Sequence, residues 1–186
     1  MHRSFPIAFL SLALAAGSAF GQGAKPRGFP LPGHGSLELR VPATWDAHVQ
    51  QPAGEVPPTI TFNPKTEMPF EVSVTPFWQA PSAPPLPEDA TIRTEVAEAS
   101  KKAAETAVER EIPIRQLKGS GGAGYYFSVT DRAPNPGEFK YLSRGIYRLR
   151  DLVIDFTVLT NDGQEAKLKE ALDMIRSARH AAAKAK

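Results

Sequence analysis

Residues 112–160 read IPIRQLKGSGGAGYYFSVTDRAPNPGEFKYLSRGIYRLRDLVIDFTVLT, and this stretch decides the fold. It holds strand-like runs at 112–118, 125–130, 139–149 and 152–160, rich in β-branched and aromatic residues. The links between them are GSGGAG, DRAPNPGE and a tight turn at Arg150-Asp151. Links this short leave no room for a crossover. Consecutive strands must therefore be antiparallel neighbours, and the stretch is a meander.

A helix fits residues 89–110 just before it. Ile92, Val96, Ala99, Ala103 and Ala107 fall on one stripe, and its alanines let the helix lie close to whatever it covers. Glu95, Glu98, Glu105 and Glu109 take the polar side and read as a solvated face. Residues 76–87, PFWQAPSAPPLP, read as a stiff connector, and the spacing Pro81-x-x-Pro84 within it reads as linker rather than recognition motif. Earlier still, alternation at 36–41, 59–62 and 70–75 predicts three strands bounded by prolines. Residues 24–34, AKPRGFPLPGH, show no periodicity and read as a flexible leader. After the meander a last helix begins at Asp162, whose carboxylate is expected to cap it while Glu165 reaches back. Leu168, Leu172 and Ile175 carry its buried face, and the basic tail 179–186 is expected to fray. The expected order is β-β-β-α-β-β-β-β-α. That is an α+β fold, an antiparallel sheet of about six or seven strands with helices on its faces, in a single domain over 35–178.

The first residues, MHRSFPIAFLSLALAAGSAFGQG, set Arg3 ahead of a short apolar run and then small side chains. That order is a secretory signal peptide, 1–19, cut near Ala19 or as late as residue 21. Its apolar run is too short to cross a bilayer, and no later segment approaches the ~20 residues required. The expectation is a soluble protein of the periplasm or the exterior, without a membrane span. No cysteine occurs, which excludes thiolate zinc, cysteine nucleophiles and a lipid anchor on cysteine. Lys and Arg number 22 against 20 Asp and Glu, a balance with no general pull toward nucleic acid.

Several of these features carry a resemblance. The strand 36–41 running into Pro42-Ala-Thr-Trp45, the helix before the meander, Gly-x-Gly-Tyr-Tyr at 122–126 and the closing helix are together similar to PsbP-like domains. These are named for the photosystem II extrinsic protein and include bacterial DcrB-type envelope proteins. The resemblance covers roughly 35–178. It implies an α/β/α sandwich and a family of mostly non-catalytic accessory and binding proteins, in which Trp45 is a core residue. The DcrB-type lipid anchor is missing, and no metal-binding residue of the photosynthetic members is matched.

Candidate chemistry is sparse. GSGGAG is followed by a strand and not by a helix, so it reads as a hairpin loop with positive φ rather than a phosphate loop. His34, His48 and His180 fall in the leader, a loop and the tail, with no metal-ligand spacing. No G-x-S-x-G elbow occurs. Lys140, Arg144, Arg148 and Arg150 share a parity, so they project from one face as an anion or acidic-partner surface, or else pair across strands with Asp151 and Asp155. Phe77 and Trp78 form an aromatic contact site or close one end of the core. The candidate partner-binding residues are thus Phe77, Trp78, Lys140, Arg144 and Arg148. The leading expectation is a non-enzymatic envelope protein with no cofactor that binds an unknown protein partner, with an inhibitor or immunity role among its forms. The alternatives are a carrier of a small ligand and a hydrolase with an unrecognised acidic site.

Overall fold

The computed structural model describes residues 23–54, 56–65, 69–79 and 85–183. The signal peptide and the Pro81-x-x-Pro84 spacing lie outside the described residues. The elements are β1 (Lys25–Pro30), β2 (Ser36–Val41), β3 (Trp45–Gln50), β4 (Thr59–Pro64), β5 (Glu71–Trp78), α1 (Asp89–Ala103), β6 (Arg115–Lys118), β7 (Gly122–Thr130), β8 (Tyr141–Leu149), β9 (Leu152–Thr160), α2 (Glu165–Arg176) and β10 (Arg179–Ala181). Seven strands form one antiparallel sheet in the order β3-β4-β5-β9-β8-β7-β6. The meander is present as expected, with β6 through β9 adjacent in turn. A second sheet, β1-β2-β10, has three strands.

Strand alternation gives the main sheet two different faces. One face carries Ile60, Phe62, Val72, Val74, Tyr147, Ile154, Phe156 and Val158. It packs with Leu37, Leu39 and Val41 of β2 and with Leu172, Met174 and Ile175 of α2 in the larger core. On the other face Ile92 and Val96 of α1 pack against Phe127 and Val129. The architecture is α+β, with α1 on one side of the sheet and α2 plus the small sheet on the other.

Several expectations are corrected. The leader is not without structure. Residues 25–30 pair with β2, Phe29 meets Phe62 edge to face at 5.4 Å, and Leu31 is buried. Prolines and Gly28 hid this strand, but β1 lies on an edge, where a missing N–H costs little. The tail does not fray at its start, because β10 pairs with β2 and the His180 ring meets the His34 carbonyl at 2.7 Å. The packed unit thus begins before residue 35 and continues past 178. Helix α1 ends at Ala103, short of 110, since the next residues are captured by the end of β7. The Val108 N–H donates to Thr130, and Ala107 bridges Asp131. β5 runs through Pro76 to Trp78, which takes its last residues from the supposed connector. His48 lies in β3 and not in a loop.

Two local chemical expectations also change. Asp162 does not cap α2, which starts at Glu165 after Gln164 with no side-chain cap. In the GSGGAG turn no glycine has positive φ. The requirement there is space: a Cβ on Gly119 would fall 2.0 Å from the Arg176 carbonyl oxygen and 2.5 Å from the Tyr147 hydroxyl. Gly35 needs both freedoms, with φ +80° and a would-be Cβ 2.0 Å from the Ala181 carbonyl oxygen.

A structured N-terminal strand and a flexible leader make opposite predictions for Phe29→Ala. Removing a ring buried between β1 and β4 should cost about 3–5 kcal/mol in urea unfolding. An unchanged midpoint would return residues 25–30 to a leader role.

Candidate functional site

Helix α1 contacts β7 and β8, and no described helix lies over β3, β4, β5 or β9 on that face. The helix is set there by Ile92 and Val96 beneath it, and near its start by the Tyr125 hydroxyl, which donates to Asp89 at 2.8 Å. Its partly buried Ala99 and Ala103 let it sit close. What that helix leaves bare is lined by the residues that alternate with the core positions of β4, β5 and β9, among them the short polar Thr59, Thr61, Ser73, Thr75 and Thr157, with Phe77 and a buried Val153 at one end. The register stacks them into rows across the strands. His48, Thr61, Ser73, Thr157 and Arg144 form one row. Thr75, Asp155 and Ile146 form the next, and Thr59 joins it through a 3.1 Å hydroxyl contact with Thr75. Phe77, Val153 and Arg148 make the third. An open trough of about 760 Å³ runs between α1 and β8 beside these rows, floored by Phe127 and Ile146 with Arg144 and Asp155 at its rim.

The candidate residues are dispersed differently from the sequence expectation. Phe77 is on this face and 42% exposed. Trp78, next in the strand, projects to the opposite side, where it stacks on the His34 ring at 4.6 Å and packs against the larger core. Arg144 borders the rows and forms an ion pair with Asp155 at 3.0 Å. Arg148 is turned to the chain entering α1, donating to the Leu86 and Pro87 carbonyls, so it holds that segment down. Lys140 lies before β8 and meets both Asp162 carboxylate oxygens at 2.9 Å. Arg150 lies 3.8 Å from Asp151. The basic stripe therefore meets partners one by one, and the structure brings only Phe77, Arg144 and Arg148 onto the same sheet face.

The hydroxyl rows were not singled out from the sequence, although their signal was there. TIT at 59–61 and VSVT at 72–75 alternate aliphatic and hydroxyl residues, a mark of a strand with one wet face. Among the described residues no three His, Asp or Glu side chains are grouped to hold a metal. No helix among them is long and apolar enough to cross a membrane.

No family model matches the sequence, and no curated protein does. Among solved structures, cyanobacterial PsbP from Synechocystis aligns with a TM-score of 0.50 and 14% identity, over 92% of this chain and 99% of that one. A crystal structure from Bacteroides thetaiotaomicron aligns with a TM-score of 0.49 and 12% identity over 87% of this chain. This chain spans 49% of that protein's length. The fold is PsbP-like.

Asp162 offers a titration at the edge of this region. Hydrogen bonds from the Tyr141 hydroxyl, at 2.5 Å, and from Lys140 hold its carboxyl below the ordinary aspartate range. Contacts with Asp162, first, and with Tyr141 raise the Lys140 ammonium above its ordinary value. A lowered carboxyl favours the fold above the unfolded aspartate range, and that support is lost as pH falls through the folded value. A raised ammonium acts in the reverse sense, its support disappearing as pH rises through its own. In Tyr141→Phe, the Asp162 carboxyl resonance should titrate at higher pH than in wild type. An unchanged midpoint would refute the contact.

Proposed function

We propose that this protein is an exported, non-enzymatic accessory protein of the bacterial envelope that docks a protein partner on the uncovered sheet face. One observation carries the reading: α1 covers only part of its side of the sheet, and the remainder includes the half-buried hydroxyls of Thr59, Thr61, Ser73, Thr75 and Thr157, with Phe77 exposed at one end. With strands ~4.8 Å apart and ~3.3 Å per residue, four strands give a patch of roughly 20 by 20 Å. With the trough beside α1 it supplies a good part of the ~800 Å² that one partner gives to a standard interface. Short side chains lose little entropy on docking, and a lone exposed aromatic is the kind of residue that anchors such contacts. The partner this face suits is therefore polar and flat, with an apolar recess for Phe77.

Export is the second half of the proposal and rests on the pattern in residues 1–19. The intact mass of the envelope form should correspond to a chain beginning near residue 20. A cytosolic chain that retains Met1 would refute export.

Docking is tested with a photo-crosslinking amino acid at Ser73 or Thr157 in cells, against the same group at Glu165 on α2. One product specific to the sheet positions is expected, and Phe77→Asp should abolish it without changing the melting temperature. Equal crosslinking from all three positions, or a product indifferent to Phe77, would sink the reading.

A further inference from the structure

We propose that the groove on the opposite side, between the small sheet and the end of α2, binds ligands through their phosphate groups. The groove has a volume of about 780 Å³ and is open along one side. That size falls within the range of small-molecule sites, ~300–1,000 Å³. Five cations line it: Arg40 from β2, Lys118 from the end of β6, Lys169 and Arg176 from α2, and Arg179 from β10. Only two carboxylates accompany them, Glu38 and Asp173. The surplus of three exceeds the +2 of the entire chain, so positive charge is concentrated in this one concavity. A charged cleft with low-dielectric walls focuses its field and raises the local concentration of counter-ions.

The two carboxylates do not cancel this set. Asp173 is shared, meeting Lys169 at 2.8 Å and Arg176 at 2.6 Å, which fixes both side chains along one face of α2. Glu38 stands opposite Arg179 in the β2–β10 register. Among the described residues, neither Lys118 nor Arg179 forms an ion pair, although Glu38 is the cross-strand neighbour of Arg179. The helix end itself works against an anion, since a C-terminus carries partial negative charge. Here its last carbonyls are occupied by the Ser177 and Ala178 N–H groups, and the Ser177 hydroxyl accepts from the Arg40 N–H at 2.8 Å. The side chains thus decide the sign of the site.

Geometry favours phosphate. Guanidinium forks match phosphate oxygens in pairs, and a phosphomonoester carries nearly two charges at neutral pH. Gly119 is part of the groove wall, and only a residue without Cβ lets the β6–β7 turn close on the Arg176 carbonyl there. Pro26 adds apolar wall for the carbon part of a ligand.

Two sources of this chemistry are separable with defined probes. Calorimetric titration with glycerol 3-phosphate at low salt tests a free phosphate ester. Co-sedimentation with phosphatidylglycerol vesicles, against phosphatidylcholine alone, tests a lipid headgroup. Wild type is expected to bind at least one probe, more weakly as salt rises. The double variant Lys118→Glu, Arg179→Glu should lose about tenfold or more, since each charge-assisted contact removed is worth roughly a decade. Arg144→Glu, on the other face, should bind as wild type. If the reversal unfolds the chain, Lys118→Gln and Arg179→Gln are each expected to weaken binding several-fold. Wild-type failure to bind either probe overturns the proposal. So does full binding by the folded groove variants, or equal affinity for succinate. None of these results bears on the sheet-face partner, whose crosslinks arise from other residues.

Discussion

The pairing of β5 with β9 holds this molecule together. It joins two parts of the chain separated by α1 and by three strands of the meander, and it runs antiparallel from Glu71 opposite Leu159 to Trp78 opposite Leu152. Without it there would be a β3-β4-β5 ribbon and a separate four-stranded meander, neither with enough covered surface to stand alone. The join is central in the sheet and buries Val72, Val74, Ile154, Phe156 and Val158 on one side, each fully desolvated aliphatic or aromatic group contributing ~1.5–3 kcal/mol. It also sets the registers on which the surface rows depend, because Ser73 meets Thr157 only in this alignment. A slip of one residue would turn hydroxyls into the core and valines into water.

That alternation produces a molecule with unlike sides. The apolar face has to be covered across its whole width, and one helix is too narrow for the purpose. The small sheet and α2 together do the covering, which is why residues at both ends of the described chain return to the same core. The polar face has no such requirement over β3 to β5 and β9. A single helix over β7 and β8 satisfies the apolar residues there, and the rest of that face is stable in water as it stands.

How much of this was legible follows from the range of the forces involved. The meander, both helices and the central strands show in the sequence because each buries its own regular set of side chains. β3 did not show, since WDAHVQ sits on the sheet edge and its burial follows no clean alternation. β1 and the last three residues of β5 were concealed by proline. Pro76 is accommodated because the β4–β5 register covers only Val72 to Val74, leaving that edge of the strand without a ladder to break. β10 is three residues long and exists only because β2 offers an edge. Among the functional candidates, parity along β8 correctly put Arg144 and Arg148 on one face, but parity says nothing of the carboxylate or carbonyl that each would meet. The cationic groove was beyond reach from sequence, since its five cations come from four elements that tertiary packing alone assembles.

The two surfaces answer to different physics, and this bears on what a shared fold can say about them. The PsbP-like scaffold requires apolar alternation on the inner face and room for turns at a few glycines, and these demands fix the core. They leave the outward positions of β4, β5 and β9, and the charges on β2, α2 and β10, unconstrained. The similar backbone at 14% identity shows how much sequence can change while the fold is kept. Lys118 and Arg179 are exposed and form no ion pair among the described residues, so packing gives no reason for positive charge at either position. A cation that packing does not require, set in a concavity already rich in cations, costs stability through repulsion. Such an arrangement is accounted for when something negative occupies the space between.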